Sequence, residues 1–127
     1  MARIAVRLDP IAQISASESI ELAQTAEQRG YETVWVPEGM GLDAISQLSA
    51  FATQTSRIRL GTGILPIFYR TPTLTAMTAA GLDKISGHRF ILGLGVGHRG
   101  FIEEVHGIPF QRPLANLKET VSIVRSL

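Results

Sequence analysis

Three glycines after an apolar run have the spacing of a dinucleotide-binding turn. Gly95, Gly97 and Gly100 form G-x-G-x-x-G within the segment RFILGLGVGHRG. In such a turn the glycines open a long helix whose N-terminus holds a pyrophosphate. Here Gly107 and Pro113 limit any following helix to about two turns. We therefore interpret the motif as glycines that serve a strand end, not as a dinucleotide site.

The residues that could transfer a proton follow predicted strands. A carboxylate or an imidazole at a strand end can accept or donate a proton. Glu38 and Asp9 are carboxylates of this kind, and His98 follows the glycine motif with Arg99 beside it. We expect Glu38 and His98 to be the catalytic groups. The alternative for these residues is a helix-capping carboxylate and a solvated loop histidine.

Five glycines lie toward the carboxyl ends of two predicted strands. A glycine inside a strand usually marks a bulge or the close approach of another group. Barrel enzymes build their active sites at the carboxyl ends of the strands. We therefore predict a shelf against which a planar ring can lie, the alternative being tight packing of strand on helix. The five are Gly61, Gly63, Gly93, Gly95 and Gly97.

These side chains must be positioned by alternating strands and helices. Apolar, β-branched runs predict four strands, and each is followed by helix-start signals. The strands are Arg3–Leu8, Thr33–Val36, Arg57–Leu65 and Phe90–Val96. The helix signals are Ser15 with Glu18, Asp43, Thr71 with Pro72, and Pro113. Strands without polar alternation are typical of a parallel sheet covered by helices.

The unit count indicates half of a barrel. RIRLGTGI from Arg57 and RFILGLGV from Arg89 share R-x-x-L-G-x-G-[VI], and their offset is about the length of one βα unit. Eight such units make roughly 250 residues, the usual size of a (β/α)8 barrel. We predict an α/β fold of the TIM-barrel type, with residues 1–127 forming a single domain of four consecutive βα units.

Composition excludes several classes of protein. The chain has 127 residues, 45% of them apolar, a net charge of +1 and no cysteine. This argues against nucleic-acid binding and against a thiolate metal site. His106, Glu103 and Glu104 do not have a recognised metal spacing, so we expect no metal. No stretch is apolar enough to span a membrane and the N-terminus lacks the pattern of a signal peptide, so we predict a cytoplasmic protein.

Longer segments resemble a known family. The segments AEQRGYETVWVPE, TSRIRLGTGILPIFYRTPTLTAMTAAGLDKISGHRFILGLGVG and HGIPFQRPL resemble the luciferase-like monooxygenase family, the bacterial luciferase superfamily. The resemblance is greater to its deazaflavin-dependent branch, which includes methylenetetrahydromethanopterin reductase-like proteins. It covers the chain nearly from end to end and corresponds to the N-terminal half of the family's barrel.

The resemblance implies a (β/α)8 barrel that binds coenzyme F420, or alternatively FMN, at the carboxyl ends of its strands. It also implies a non-prolyl cis peptide at Gly63–Ile64, behind the cofactor ring. By the same resemblance, the cofactor-binding residues are Gly61, Thr62, Gly63, Ile64, Gly95, Val96, Gly97 and His98.

This chain departs from the family pattern in two respects. Many relatives have an acidic residue and a histidine after the second strand, whereas Pro37, Glu38, Gly39 and Met40 stand here. We expect Glu38 to take the acidic role, and the histidine is absent from these four positions. The second half of the barrel, which usually holds the phosphate tail of the cofactor, is also absent.

Three functions therefore stay open. The first is hydride transfer between coenzyme F420 and an organic small-molecule substrate. The second is FMN-dependent monooxygenation. The third, of another class, is a non-catalytic half-barrel fragment that needs a partner half. Because a half-barrel has two open sheet edges, we expect a homo-oligomer or pairing with the missing C-terminal half-barrel.

Overall fold

The computed structural model describes residues 4–9 and 14–127, which form alternating strands and helices. Within this described part, the strands are β1 (Ala5–Arg7), β2 (Thr33–Val36), β3 (Arg59–Thr62), β4 (Leu65–Pro66), β5 (Phe90–Ile91) and β6 (Leu94–Gly95). The helices there are α1 (Ala16–Gln28), α2 (Ala44–Gln54), α3 (Pro72–Ile85), α4 (Arg99–Glu104) and α5 (Pro113–Ser126). Arg3, the first residue of the first predicted strand, lies outside the described residues.

All described strand pairs are parallel. One sheet has the order β1-β2-β3-β5, and β4 pairs with β6 in a second. In the register, Trp35 lies beside Gly61 and Leu60 beside Phe90. The fold is therefore the predicted α/β arrangement of βα units on a parallel sheet.

The helices begin where local signals predict. Ser15 and Glu18 form a capping box, in which the Glu18 amide donates to the Ser15 hydroxyl (3.2 Å) and the Ser15 amide donates to Glu18 Oε2 (2.7 Å). Asp43 caps α2, and Thr71 caps α3 ahead of Pro72. Each cap accepts an amide N–H that the first turn leaves free, so these helix starts depend only on neighbouring residues.

The core lies between the four-stranded sheet and helices α1 to α3. Val34, Val36 and Leu60 project from β2 and β3, and Leu48 and Phe51 from α2; all five are almost fully buried. Val6, Leu8 and Phe90 pack against this cluster at its edges. The sheet therefore buries one face against helices, as the apolar strands predict.

The third and fourth predicted strands are each interrupted, which corrects the continuous strands expected over Arg57–Leu65 and Phe90–Val96. The peptide bond Gly63–Ile64 is cis, as the family resemblance implies, and it separates β3 from β4. At the break the Thr62 hydroxyl donates to the carbonyl of Gly93 (2.9 Å) and accepts from its amide (2.8 Å). A side chain thus supplies the bonds that regular pairing would otherwise make there.

The apolar stripe of α3 faces outward. Leu74, Met77 and Ile85 lie three, and then eight, residues apart along α3 and are 46%, 66% and 55% exposed. The helix buries Thr75 and Leu82 instead. The outer surface of α3 is therefore an apolar patch that residues 4–9 and 14–127 leave uncovered.

Candidate functional site

A cavity of about 670 Å³ opens at the carboxyl ends of the strands. This volume lies within the range of small-molecule and cofactor sites. Its wall consists of the segments that follow β1 and β2, the cis bulge, and the turn between β6 and α4. The lining residues are Arg7, Asp9, Pro37, Glu38, Gly39, Met40, Gly63, Ile64, Pro66, Tyr69, Val96, Gly97, His98 and Phe101.

The fold brings six of the nine predicted site residues together in this cavity: Glu38, Gly63, Ile64, Val96, Gly97 and His98. They come from three different loops, which meet because parallel strands end at the same edge of a sheet.

The other three predicted residues lie outside the cavity lining. Thr62 is fully buried and bonded to Gly93. A Cβ on Gly61 would lie 2.3 Å from Trp35 Cζ3, and one on Gly95 would lie 2.9 Å from Ile64 Cδ1. The space beside both glycines is therefore filled by the chain's own side chains. This corrects the expected open shelf at these positions, and cofactor contact at Gly61, Thr62 and Gly95 stays a prediction.

The Gly63–Ile64 bulge is held against the end of β2. The Gly63 amide donates to the Val36 carbonyl (2.9 Å), and the Glu38 amide donates to the Ile64 carbonyl (3.0 Å). A Cβ on Gly63 would lie 3.3 Å from Trp35 Cβ, which is tighter than a usual contact. The bulge thus presents its backbone to the cavity at a fixed position next to Glu38.

Glu38 is largely buried and has defined partners. Its Oε2 accepts from the Ala44 amide at the start of α2 (2.7 Å). Its Oε1 lies 3.6 Å from Arg70 Nη2, and the two side chains are 10% and 20% exposed. Glu38 therefore lines the cavity and also bonds the first residue of α2, as its helix-capping alternative expected, and its catalytic role stays a prediction.

His98 stands at the N-cap of α4 and is exposed. Its side chain makes no capping hydrogen bond. Arg99 does not line the cavity; its guanidinium lies over the ring of Phe110 and 3.7 Å from Glu103. The helix α4 has only six residues, which agrees with the limit set by Gly107 and Pro113 and is too short for a dinucleotide-binding helix.

An aromatic cluster forms one wall of the cavity. The ring centroids of Tyr69 and His106 are 4.1 Å apart, and Phe101 lies 5.4 Å from His106. Burial raises the pKa of the Tyr69 hydroxyl, and the negative charge of Glu38 raises that pKa further. Tyr69 therefore stays protonated at neutral pH, as a polar hydroxyl in a mostly apolar wall.

Sequence reasoning missed several cavity residues. Arg7 donates to Asp9 (2.8 Å) at the end of β1, and Met40, Pro66 and Phe101 complete the wall. Arg7 could have been found, because it lies two residues before Asp9 on a predicted strand end. Phe101 had no such signal, since its position depends on how α4 folds back.

Metal clusters and membrane-spanning helices are both absent from residues 4–9 and 14–127. No group of three or more His, Cys, Asp or Glu side chains there is placed to hold a metal ion. Among the same residues, none of the helices is both long and apolar enough to cross a membrane.

A family model and individual known proteins both match this chain. The family model described as luciferase-like monooxygenase matches residues 1–127. A Mycobacterium tuberculosis protein, named as a candidate coenzyme F420-dependent oxidoreductase, is 43% identical over 107 residues, which are 84% of this chain and 31% of that protein. The 5,10-methylenetetrahydromethanopterin reductase of Methanolobus tindarius is 35% identical over 118 residues, which are 92% of this chain and 34% of that enzyme.

A solved structure has the same fold. The monooxygenase RslO1 of Streptomyces bottropensis superposes with a TM-score of 0.88 at 29% identity, over 98% of this chain and 42% of that one. The chain thus spans about a third of the length of the curated relatives that it matches.

Proposed function

The chain belongs to the luciferase-like monooxygenase family, and on this premise we propose that it takes part in hydride transfer between coenzyme F420 and an organic small-molecule substrate. Relatives named for F420 or for methylenetetrahydromethanopterin reduction support the oxidoreductase class. The observation that carries the proposal is the cavity in which the cis bulge faces the Val96–His98 turn with Glu38 beside it.

The residues present fit a flat ring. Gly63 and Gly97 place backbone without side chains at two sides of the cavity, and Ile64 and Val96 supply apolar contact. The wall is mostly apolar with few polar groups, as cofactor sites usually are. The deazaflavin, when bound, supplies a donor or acceptor of two electrons and a proton as hydride.

The chain's own groups would position the ring and move one proton. The bulge backbone and Val96 would hold the ring, and Met40 with Phe101 would exclude water from it. Glu38, held by the Ala44 amide and Arg70, would accept a hydrogen bond at the cavity edge. His98, which has no capping bond, is free to exchange a proton with substrate.

Titration with coenzyme F420, followed by cofactor fluorescence, tests this proposal. The variant Val96→Trp fills the cavity and is expected to weaken binding by about tenfold or more. The matched control Leu114→Trp adds the same side chain at a residue of α5 that is 76% exposed, and we expect it to bind as the parent does. Saturable binding that Val96→Trp leaves unchanged would place the cofactor elsewhere.

The second candidate function is FMN-dependent monooxygenation. It is supported by the family description and by the likeness to a Streptomyces monooxygenase. A parallel titration with FMN and an oxygen-consumption assay separate the two candidates. Preference for FMN together with oxygen uptake would favour the monooxygenase, and F420 binding without oxygen uptake would favour hydride transfer.

A third candidate is a half-barrel that is inactive until a partner half covers it. Strands β1 and β5 are the edges of the four-stranded sheet among the described residues. The outward stripe of α3 is a further uncovered surface. We propose that the chain forms a homo-oligomer or pairs with a C-terminal half-barrel. Light scattering tests this, and a stable monomer that binds F420 by itself would contradict it.

A further inference from the structure

Arg70 lies outside the cavity lining but contacts the cavity residue Glu38. Arg70 follows β4 and reaches back to the segment after β2. Its Nη2 lies 3.6 Å from Glu38 Oε1 and 3.9 Å from Asp43 Oδ1. One cation therefore faces two carboxylates at the start of α2, and it links the loop before α3 to the loop before α2.

The environment of Arg70 is costly for a residue with a purely structural role. Its side chain is 20% exposed, and its Nε is buried without a hydrogen-bond partner among the described residues. An unpaired buried N–H of a charged group costs free energy that an apolar side chain would not. Unsatisfied polar groups of this kind are uncommon in folded proteins, so each calls for an explanation.

The position of the Glu38 carboxylate supplies that explanation. One oxygen is bound by the Ala44 amide, and the other faces Arg70. Without the guanidinium, the Ala44 amide would be the one remaining contact that the described residues make with the carboxylate, and rotation about its terminal bonds would be less restricted. Two contacts from different loops hold it at the edge of the cavity, next to the bulge.

Tyr69 reports on this arrangement from inside the cavity. Its ring lies against that of His106 (4.1 Å). Its pKa is raised first by burial and then by the charge of Glu38. A change in the position or screening of the Glu38 charge should therefore change the ionisation of Tyr69.

We propose that Arg70 is a positioning residue that holds the Glu38 carboxylate in one orientation at the cavity edge. The importance of this orientation for F420 rests on the proposed function, but the positioning itself does not. Two readouts therefore separate the two ideas, one without cofactor and one with it.

The first readout is the ultraviolet titration of Tyr69. The chain has two tyrosines, so Tyr31→Phe leaves Tyr69 as the only phenol. In this background Arg70→Ala is combined with Glu38→Gln in a double-mutant cycle. We expect Glu38→Gln to lower the Tyr69 pKa. We expect the change in the Tyr69 pKa caused by Arg70→Ala to differ by about 0.3 pH units or more between the Glu38 and the Glu38→Gln backgrounds, because the freed carboxylate changes its distance from the Tyr69 hydroxyl.

A direct effect of the Arg70 charge on its neighbour Tyr69 would be the same with or without Glu38→Gln, so equal shifts in both backgrounds would overturn the proposal. Arg59→Ala is the matched control, since it removes an arginine paired with Glu32 at 3.8 Å at the opposite end of the sheet. If circular dichroism shows that Arg70→Ala does not fold, Arg70→Lys takes its place in the cycle, with a smaller coupling of the same sign.

The second readout is the dissociation constant for F420 in the same four variants. We expect Arg70→Ala to weaken binding when Glu38 is present and to have little further effect in the Glu38→Gln background. Independent, multiplicative losses would contradict positioning through Glu38. Absence of F420 binding by the parent chain would instead count against the proposed function, and the tyrosine cycle would still decide the role of Arg70.

Discussion

The hydroxyl of Thr62 is bonded to both backbone groups of Gly93, donating to the carbonyl over 2.9 Å and accepting from the amide over 2.8 Å. The Gly93 carbonyl also accepts from the Leu65 amide (2.8 Å). A Cβ on Gly93 would lie 2.1 Å from the Thr62 carbonyl oxygen. This one pair of residues therefore joins the two strands at the point where both are interrupted.

The Thr62 hydroxyl should contribute more to the free energy of unfolding than an exposed hydroxyl does. Thr62→Val keeps the shape but leaves the Gly93 amide without an acceptor, while the Gly93 carbonyl keeps Leu65. We expect a loss of about 1–3 kcal/mol in the free energy of unfolding, measured with urea. Thr53→Val removes an exposed hydrogen bond from the Thr53 hydroxyl to the Ala50 carbonyl in α2. We expect this control to change the free energy of unfolding by less than about 0.5 kcal/mol. Similar losses for both variants would mean that the strand break does not depend on Thr62.

Two glycine-to-alanine substitutions should change the free energy of unfolding in opposite directions. At Gly61 a Cβ would overlap the Trp35 ring, whereas at Gly81 on α3 it would meet none of the described residues within 4 Å. We expect Gly61→Ala to cost about 1–3 kcal/mol of unfolding free energy. Gly81→Ala should raise the unfolding free energy by about 0.5–1 kcal/mol, because it reduces the entropy of the unfolded helix segment.

The fluorescence of Trp35 checks the reason for this difference. Trp35 is the only tryptophan in the chain. Its emission should change in Gly61→Ala, because the ring must move, and should not change in Gly81→Ala. An unchanged emission spectrum in Gly61→Ala would show that the backbone of β3 moves to accept the new Cβ and that the Trp35 ring does not.

Glu27 should make stability depend on pH. Its Oε1 accepts from the amides of Ser56 (2.9 Å), Arg57 (2.6 Å) and Ile58 (2.9 Å). Burial raises the Glu27 pKa, but the three amides and the charge of Arg57 outweigh it and lower the pKa below 4.5. Because the pKa is lower in the folded state, this contribution is present above pH 4.5 and is lost as the pH falls through the folded pKa.

Urea unfolding of Glu27→Gln between neutral and acidic pH measures that contribution. We expect the variant to be less stable than the parent by about 1–2 kcal/mol near neutral pH and to approach it at low pH. Glu21→Gln, an exposed change on the same helix, controls for the lost charge. A difference between parent and Glu27→Gln that does not vary with pH would contradict the role of the carboxylate.

Arg89 should resist replacement by lysine. Its guanidinium donates to the carbonyls of Ala52 (2.8 Å), Thr55 (3.1 Å) and Ile58 (2.9 Å), and it also bonds Ser86. The three carbonyls lie in the last turn of α2 or after it, and Ser86 is the C-cap of α3, so Arg89 ties the ends of both helices to β5. An ammonium group cannot match this planar set of donors. We expect Arg89→Lys to cost about 2 kcal/mol or more by urea unfolding, and Arg125→Lys to cost almost nothing.

His98 offers a functional test that should leave folding intact. The side chain is exposed, lines the cavity and makes no capping bond. We expect His98→Ala to change the unfolding free energy by less than about 0.5 kcal/mol. If His98 contacts the cofactor, its loss should weaken F420 binding by about tenfold, as for a lost hydrogen bond. Unchanged binding would identify His98 as a solvated loop residue.

Local signals in the sequence were sufficient for the main helix starts and for the order of the βα units, but not for the breaks in the third and fourth predicted strands. The caps at Ser15, Asp43 and Thr71 act over three residues, so the chain near each helix start contains the whole signal. The carboxyl-end location of the site followed from parallel strands, which is why Glu38 and His98 could be placed near one cavity from the pattern of strands. The cis bond at Gly63–Ile64 was anticipated only from the family resemblance.

The roles of the glycines and the charges depend on the packed fold. Gly61 and Gly95 lack side chains because Trp35 and Ile64 occupy the space beside them, and strand register sets those neighbours. The approach of Arg70 to Glu38 joins two loops far apart in the chain. No local pattern encodes such a pair, because the distance between the two side chains depends on how the strands and helices pack.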